Sequence, residues 1–186
     1  LNYNEVLSSV EKITSPKGLG MAAKRITVST AGVAKMIAKL ADDNVKFHLA
    51  LSLHAANDEK RNHIMPINET NSLENLATSL NYFIDKTGTR PTFEYIAFKD
   101  YNDSIQDAQD LVNFCKKVKS KVNIIEYNPI DDGEFKQTTR DRLKAFTDHL
   151  EKNGIICNVR HSRGKDIDAA CGQLANKNKL AMELLK

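Results

Sequence analysis

The sequence has no tryptophan and few aromatic residues of any kind, 6% of the chain. A module that grips single-stranded nucleic acid by stacking needs exposed aromatics and a dense basic patch. Neither is evident, so a purely RNA-binding module without catalysis is disfavoured. The formal net charge is only +3, compatible with a nucleic-acid partner without demonstrating one. Cysteine is equally scarce. Three residues, an odd number, leave no paired disulfide framework and favour a reducing, cytoplasmic location. They stand at positions 115, 157 and 171, with spacings of 42 and 14 that match no zinc or iron–sulfur motif, so no metal ligand set is expected here. No apolar run approaches the length that spans a bilayer, and no basic-then-apolar leader opens the chain, so no membrane partner is expected. Internal repeats and low-complexity linkers are absent. The chain also lacks an initiator Met and reads as helix from its third residue, which suggests a piece of a longer protein.

What is present is ordinary globular composition, with 41% hydrophobic and 27% charged residues over 186 positions, enough for one domain with a real core. Short apolar strands alternate with amphipathic helices. Residues 25–29, 45–52, 92–98, 122–127 and 155–160 read as strands. Helices are expected over 3–14, 33–41, 72–87, 104–119 and 139–153, with a further short one at the C-terminus. Leu73, Leu76, Leu80, Phe83 and Ile84 recur at helical spacing, with Asn71 as the expected N-cap and Gly88 as the stop. Ser104 and Asp107 stand at capping-box spacing before an apolar stripe of Ile105, Ala108, Leu111, Val112 and Cys115. Strands separated by helices of this length imply βαβ units, a parallel sheet and right-handed crossovers. The expected fold class is therefore α/β, an open or partial (β/α) barrel whose N-terminal strands lie upstream.

Ligands of such folds gather at the carboxyl ends of the strands. Those ends read Ser29-Thr30-Ala31-Gly32, Ser52-Leu53-His54-Ala55 and Tyr127-Asn128-Pro129. Taken singly, each has a plain explanation. Ser29 and Thr30 can cap a helix, His54 can be a satisfied loop histidine, and Asn128-Pro129 is a common turn pair. Together they offer hydroxyls, an imidazole and an amide to one uncharged polar ligand. The stretch 160–173 differs in kind. It follows a strand, carries four potential cations, and sets Cys171 between Ala170 and Gly172, where little bulk blocks the sulfur. Nearby cations favour thiolate. Cys115 and Cys157, on a helix stripe and inside a strand, fit the ordinary role of buried, inert cysteine. A small-molecule α/β enzyme with Cys171 as nucleophile is a further reading, with His161 as the nearby base.

The segments ITVSTAG (26–32), LALSLHA (49–55), IMPIN (64–68), EYNP (126–129) and RGKDIDAACGQL (163–174) occur in one order across nearly the whole chain. In this they resemble the RlmN/Cfr family of radical S-adenosylmethionine (SAM) RNA methyltransferases. The resemblance implies a partial (β/α) barrel of the radical SAM type, with residues 1–186 as the C-terminal portion of the catalytic domain. The segment from about 160 to 186 would carry the methyl-bearing cysteine. It implies SAM contacts from Ser29, Ser52, Leu53, His54 and Asn128, and a catalytic role for Cys171. The thiolate of Cys171 would take a methyl group from one SAM, and a second SAM, cleaved reductively at a 4Fe–4S cluster, would activate it. The implied substrate is an adenine of 23S rRNA, with tRNA as a second substrate, and a reductant serves the cluster.

Three features of the family pattern are missing from the sequence and one residue differs. The Cys-x-x-x-Cys-x-x-Cys cluster motif, the Gly-Glu-Pro-Leu motif and the second catalytic cysteine do not occur in it. The 186-residue chain alone is thus expected neither to hold the cluster nor to turn over. Lys165 replaces an acidic residue of the family's RGDDIDAACGQL pattern, yet the segment is closer to RlmN than to Cfr. This favours C2 of the adenine, with the C8 specificity of Cfr as the alternative.

Overall fold

The computed structural model describes residues 2–130 and 133–160. The Cys171 segment and the expected C-terminal helix therefore lie outside the described residues. Five strands, β1 (Thr27–Thr30), β2 (His48–Ser52), β3 (Thr92–Ala97), β4 (Lys121–Glu126) and β5 (Cys157–Arg160), form one sheet in the order β1-β2-β3-β4-β5. Every neighbouring pair is parallel. Consecutive parallel strands joined by right-handed crossovers carry their helices on one side only, so the sheet curls as part of a barrel rather than as a doubly wound layer.

The helices are α1 (Tyr3–Thr14), α2 (Ala34–Asp42), α3 (Asp58–Ile64), α4 (Leu73–Thr87), α5 (Ile105–Lys117) and α6 (Arg140–Lys152). Side chains alternate along each strand. Leu49, Leu51, Phe93, Tyr95, Val122 and Ile124 are completely buried beneath the helices, where Ile37, Leu76, Leu80, Phe83, Leu111 and Phe146 meet them. Cys157 and Val159 pack against the same core. The alternate residues Ser29, Ser52, Glu94, Asn123, Asn158 and Arg160 stand on the opposite face, which is helix-free among the described residues.

Several local expectations hold and several shift. The capping box of α5 forms with Ser104 and Asp107. Gly88 closes α4 in the left-handed conformation, φ +67°. The N-cap of α4 is Ser72, whose side chain accepts from the Asn75 N–H. Asn71 faces elsewhere: its Oδ1 accepts from the Ala34 N–H at 2.8 Å and so serves the start of α2. Ile105, expected in the buried stripe, is half exposed, because the first turn of α5 leaves the core. The first strand begins later than its apolar pattern suggests, since Ala23–Arg25 form a 3-10 turn whose Ala23 carbonyl receives the Ile26 N–H. The strands after α2 and α6 also start late, because Val45 and Ile155 donate back to Leu40 and Leu150 and finish the helices first. Helix α3 had no counterpart among the expected elements. Its seven residues are too few for a periodic signal.

Candidate functional site at the strand ends

The carboxyl ends of β1, β2 and β3 are held by two buried polar side chains. Arg61, on α3, is completely buried. Its Nε donates to the Leu53 carbonyl at 3.1 Å, and Nη2 donates to the carbonyls of Ala31 at 2.9 Å and Ser52 at 3.1 Å. Nη1 reaches Asn68 Oδ1 at 2.6 Å. One guanidinium thus closes the ends of β1 and β2 together by donating to carbonyls from both. Burial lowers its pKa to about 10, opposed in part by Asp58. Gly32, at φ +101°, makes room for this: a Cβ there would stand 3.0 Å from Leu51 Cδ1 and 3.1 Å from Arg61 Nη2. The second clamp is Asn102, also fully buried. Its Nδ2 donates to the carbonyls of His54 and Ile96, and its Oδ1 accepts from the Phe98 N–H. It therefore joins the ends of β2 and β3.

Between these clamps lies His54, in the left-handed region at φ +57°. Such a backbone costs a non-glycine residue about 1 kcal/mol and persists only where neighbours impose it. Here both peptide groups are fixed: His54 N–H donates to the Glu94 carbonyl at 3.2 Å, and its own carbonyl accepts from Asn102. The ring Nδ1 lies 3.2 Å from the Ile96 amide nitrogen. A backbone N–H can only donate, so Nδ1 accepts and the ring proton resides on Nε2. Burial, together with the Arg61 charge, lowers the His54 pKa from 6.5 to about 4. The imidazole is neutral at physiological pH and offers one N–H donor.

This tautomer has a measurable consequence. The folded-state pKa lies below the unfolded value, so neutral His54 stabilises the fold above pH 6.5. That contribution falls away as the pH drops towards 4, by about 3 kcal/mol in all. Urea denaturation from pH 7 to pH 4.5 is expected to show a steeper loss of stability for the wild type than for His54→Gln, which cannot protonate. Parallel curves would show that burial of the ring does not govern its ionisation.

The residues singled out in the sequence distribute as follows. Ser29 is opposite Ala50 in the β1–β2 register, and Ser52 is two residues further along β2, so both hydroxyls stand on the helix-free face. Ser52 is opposite Glu94 on β3. Leu53 points the other way and is completely buried in the core. Its N–H donates to Glu94 and its carbonyl accepts from Arg61, which fixes the backbone leading into His54. Asn128 follows the end of β4 and is partly buried. Cys171 lies outside the described residues. Sequence reasoning passed over Arg61, Glu94 and Asn102. Glu94 had a legible signal, a carboxylate on the polar side of the alternating strand TFEYIA. Arg61 and Asn102 had none.

Two groups bear on what the site can hold. Among the described residues, no set of three or more His, Cys, Asp or Glu side chains could hold a metal ion. The other two cysteines are poor ligands and nucleophiles: burial pushes the Cys115 thiol up to about 11 and the Cys157 thiol up to about 12. An iron–sulfur cluster therefore does not fit the described residues. Uncharged polar groups of a ligand do fit the rim, which presents hydroxyls, an imidazole N–H and the buried acceptor Glu94 Oε2.

No family model matches the chain. Its sequence is 61% identical, over 96% of its length, to a probable dual-specificity RNA methyltransferase RlmN of Christiangramia forsetii, covering 51% of that protein. It is 60% identical over 95% of its length to the protein of the same name in Cytophaga hutchinsonii, covering 48% of it. The chain thus spans about half the length of the curated relatives it matches. Among solved structures, a radical SAM methyltransferase from Sphaerobacter thermophilus superposes with a TM-score of 0.89 at 36% identity, over 92% of this chain and 50% of that one. A domain of pyruvate-formate lyase-activating enzyme from Bacteroides vulgatus shares the fold alone, with a TM-score of 0.63 at 8% identity. The partial parallel barrel, the ordered motifs and these relatives agree: over nearly its whole length the chain is similar to part of the RlmN-named members of the radical SAM RNA methyltransferases.

Proposed function

We propose that residues 1–186 are part of the catalytic domain of a SAM-dependent RNA methyltransferase that modifies C2 of an adenine in 23S rRNA and also acts on tRNA. In this reading Ser29, Ser52, Leu53, His54 and Asn128 contact SAM, Leu53 through its backbone, and Cys171 carries the methyl group. The observation that carries the reading is the clamped rim. Ser29 and Ser52 share the helix-free face, and His54 is fixed beside them as a neutral donor. Preorganised donors of this kind recognise a polar ligand without adding charge of their own.

SAM, when bound, supplies the methyl group and, with a 4Fe–4S cluster and a reductant in the full-length protein, the radical chemistry of the family. The chain's own part is nucleophilic. The Cys171 thiolate would attack the methyl carbon of SAM, the carbon–sulfonium bond breaking to release S-adenosylhomocysteine, and would become a methyl thioether, so carbon can reach an adenine position that is not itself a nucleophile. The relatives' name, dual-specificity RNA methyltransferase, fits one catalytic residue serving two RNAs.

Isothermal titration of SAM into the anaerobically reconstituted full-length protein tests the rim. Ser29→Ala and Ser52→Ala are each expected to weaken binding about fivefold to tenfold, the worth of a neutral hydrogen bond. Wild-type affinity in both variants would remove these residues from the site. The 186-residue chain by itself is expected to bind SAM more weakly than the full-length protein.

A further inference from the structure

Glu94 stands on β3 between the buried Phe93 and Tyr95, so its side chain projects from the helix-free face. It is opposite Ser52 on one side and Asn123 on the other. Its carbonyl is already occupied by the N–H groups of Leu53 and His54, which fixes its height relative to the rim. The carboxylate is only 14% exposed. Oε1 accepts from Asn123 Nδ2 at 2.8 Å. Oε2 is buried and has no hydrogen-bond partner among the described residues; the nearest cation, Arg160 Nη1, stands 3.7 Å away, beyond hydrogen-bond reach.

A buried carboxylate oxygen without a donor is costly, and folded proteins keep such atoms rare. Arg160 offsets the charge of Glu94 but supplies no short donor to Oε2. What is left is a desolvated acceptor, already neutralised by its neighbour, next to the Ser52 hydroxyl. That combination favours a neutral O–H donor. It disfavours an anion, which the carboxylate repels, and a second cation has no charge left to match.

We propose that Glu94 is a further SAM-binding residue, whose Oε2 accepts a hydrogen bond from a ribose hydroxyl of the cofactor. The proposal rests on the reading of the rim as a SAM site. It adds a residue from β3, the strand from which neither the motifs nor the strand-end polar residues had supplied a ligand.

The test is calorimetric binding of SAM and of its 2′-deoxy and 3′-deoxy ribose analogues to the full-length protein, wild type and Glu94→Gln. Gln keeps the shape and the acceptor for Asn123 but turns the second position into a donor. SAM affinity is expected to fall about tenfold to a hundredfold, as for a hydrogen bond to a charged group. One deoxy analogue should lose a similar factor on the wild type and little more on Glu94→Gln. Equal SAM affinity in the two proteins, or full additivity of variant and analogue, overturns the proposal. So does Arg160→Met if it reproduces the loss, because Glu94 would then act only by holding Arg160. If Glu94→Gln does not fold by circular dichroism, the wild-type arm decides: equal affinity for SAM and both analogues refutes the ribose contact. Failure of the wild type to bind SAM at all would strike the rim reading itself, and is thereby distinct.

Discussion

Replacing Cys171 by Ala in the full-length protein is expected to abolish adenine methylation while leaving the fold intact. The case rests on contrast with the other two cysteines. Burial raises the Cys115 and Cys157 thiols to about 11 and about 12. At neutral pH roughly one molecule in 10⁴ or fewer would carry thiolate at either site, and thiolate is the nucleophile. Cys115 packs in the core with its sulfur near the Ser120 hydroxyl, and Cys157 lies on the helix side of β5. Neither shares a face with the Ser29 and Ser52 hydroxyls. Cys115→Ala and Cys157→Ala should therefore keep activity and lose only about 1 kcal/mol of packing each. Mass spectrometry of the RNA product, with a search for a methyl thioether at position 171, reads both halves. Wild-type methylation by Cys171→Ala, or a methyl group on Cys115 or Cys157, would overturn the assignment.

The second large effect is expected at Arg61. Arg61→Met preserves much of the volume but removes every donor of the guanidinium. The carbonyls of Ala31, Ser52 and Leu53 and the Asn68 side chain would then be left without their partner in a buried setting. Each orphaned acceptor costs on the order of 1–3 kcal/mol, less than additively where relaxation admits water. A loss of about 3–5 kcal/mol is expected, a large share of the stability of a typical domain. Urea denaturation should show a lower midpoint at nearly constant slope. Arg61→Lys should recover only part of the loss, because a single ammonium cannot span carbonyls on two strands in fixed directions. A change below about 1 kcal/mol in Arg61→Met would show that the guanidinium is not what closes the strand ends. The Asp103–Arg142 pair offers a comparison. Asp103 is buried, but Arg142 is 40% exposed, so water can replace the lost partner and the cost of Arg142→Met should be smaller.

The sequence by itself determined the strand–helix alternation, the capping box of Ser104 and Asp107, the stop at Gly88 and the buried stripes of α4 and α6. All of these depend on residues within a turn or two of one another, where backbone geometry fixes which side chains share a face. It also marked Ser29, Ser52 and His54, because strand ends in a parallel sheet lie at one rim wherever the strands occur in the chain. The family resemblance followed from ordered motifs rather than from periodicity. Tertiary structure alone decided how the rim is held. Arg61 bonds a carbonyl 30 residues earlier, Asn71 caps a helix 37 residues earlier, and Asn102 reaches back 48 residues to His54. It likewise decided that His54 is neutral and that Glu94 keeps an oxygen unmatched among the described residues. The protonation and partners of a buried polar group depend on which distant carbonyls and amides close around it. No local pattern of residues records that, whereas the alternation of apolar and polar positions is written into every few residues of the chain.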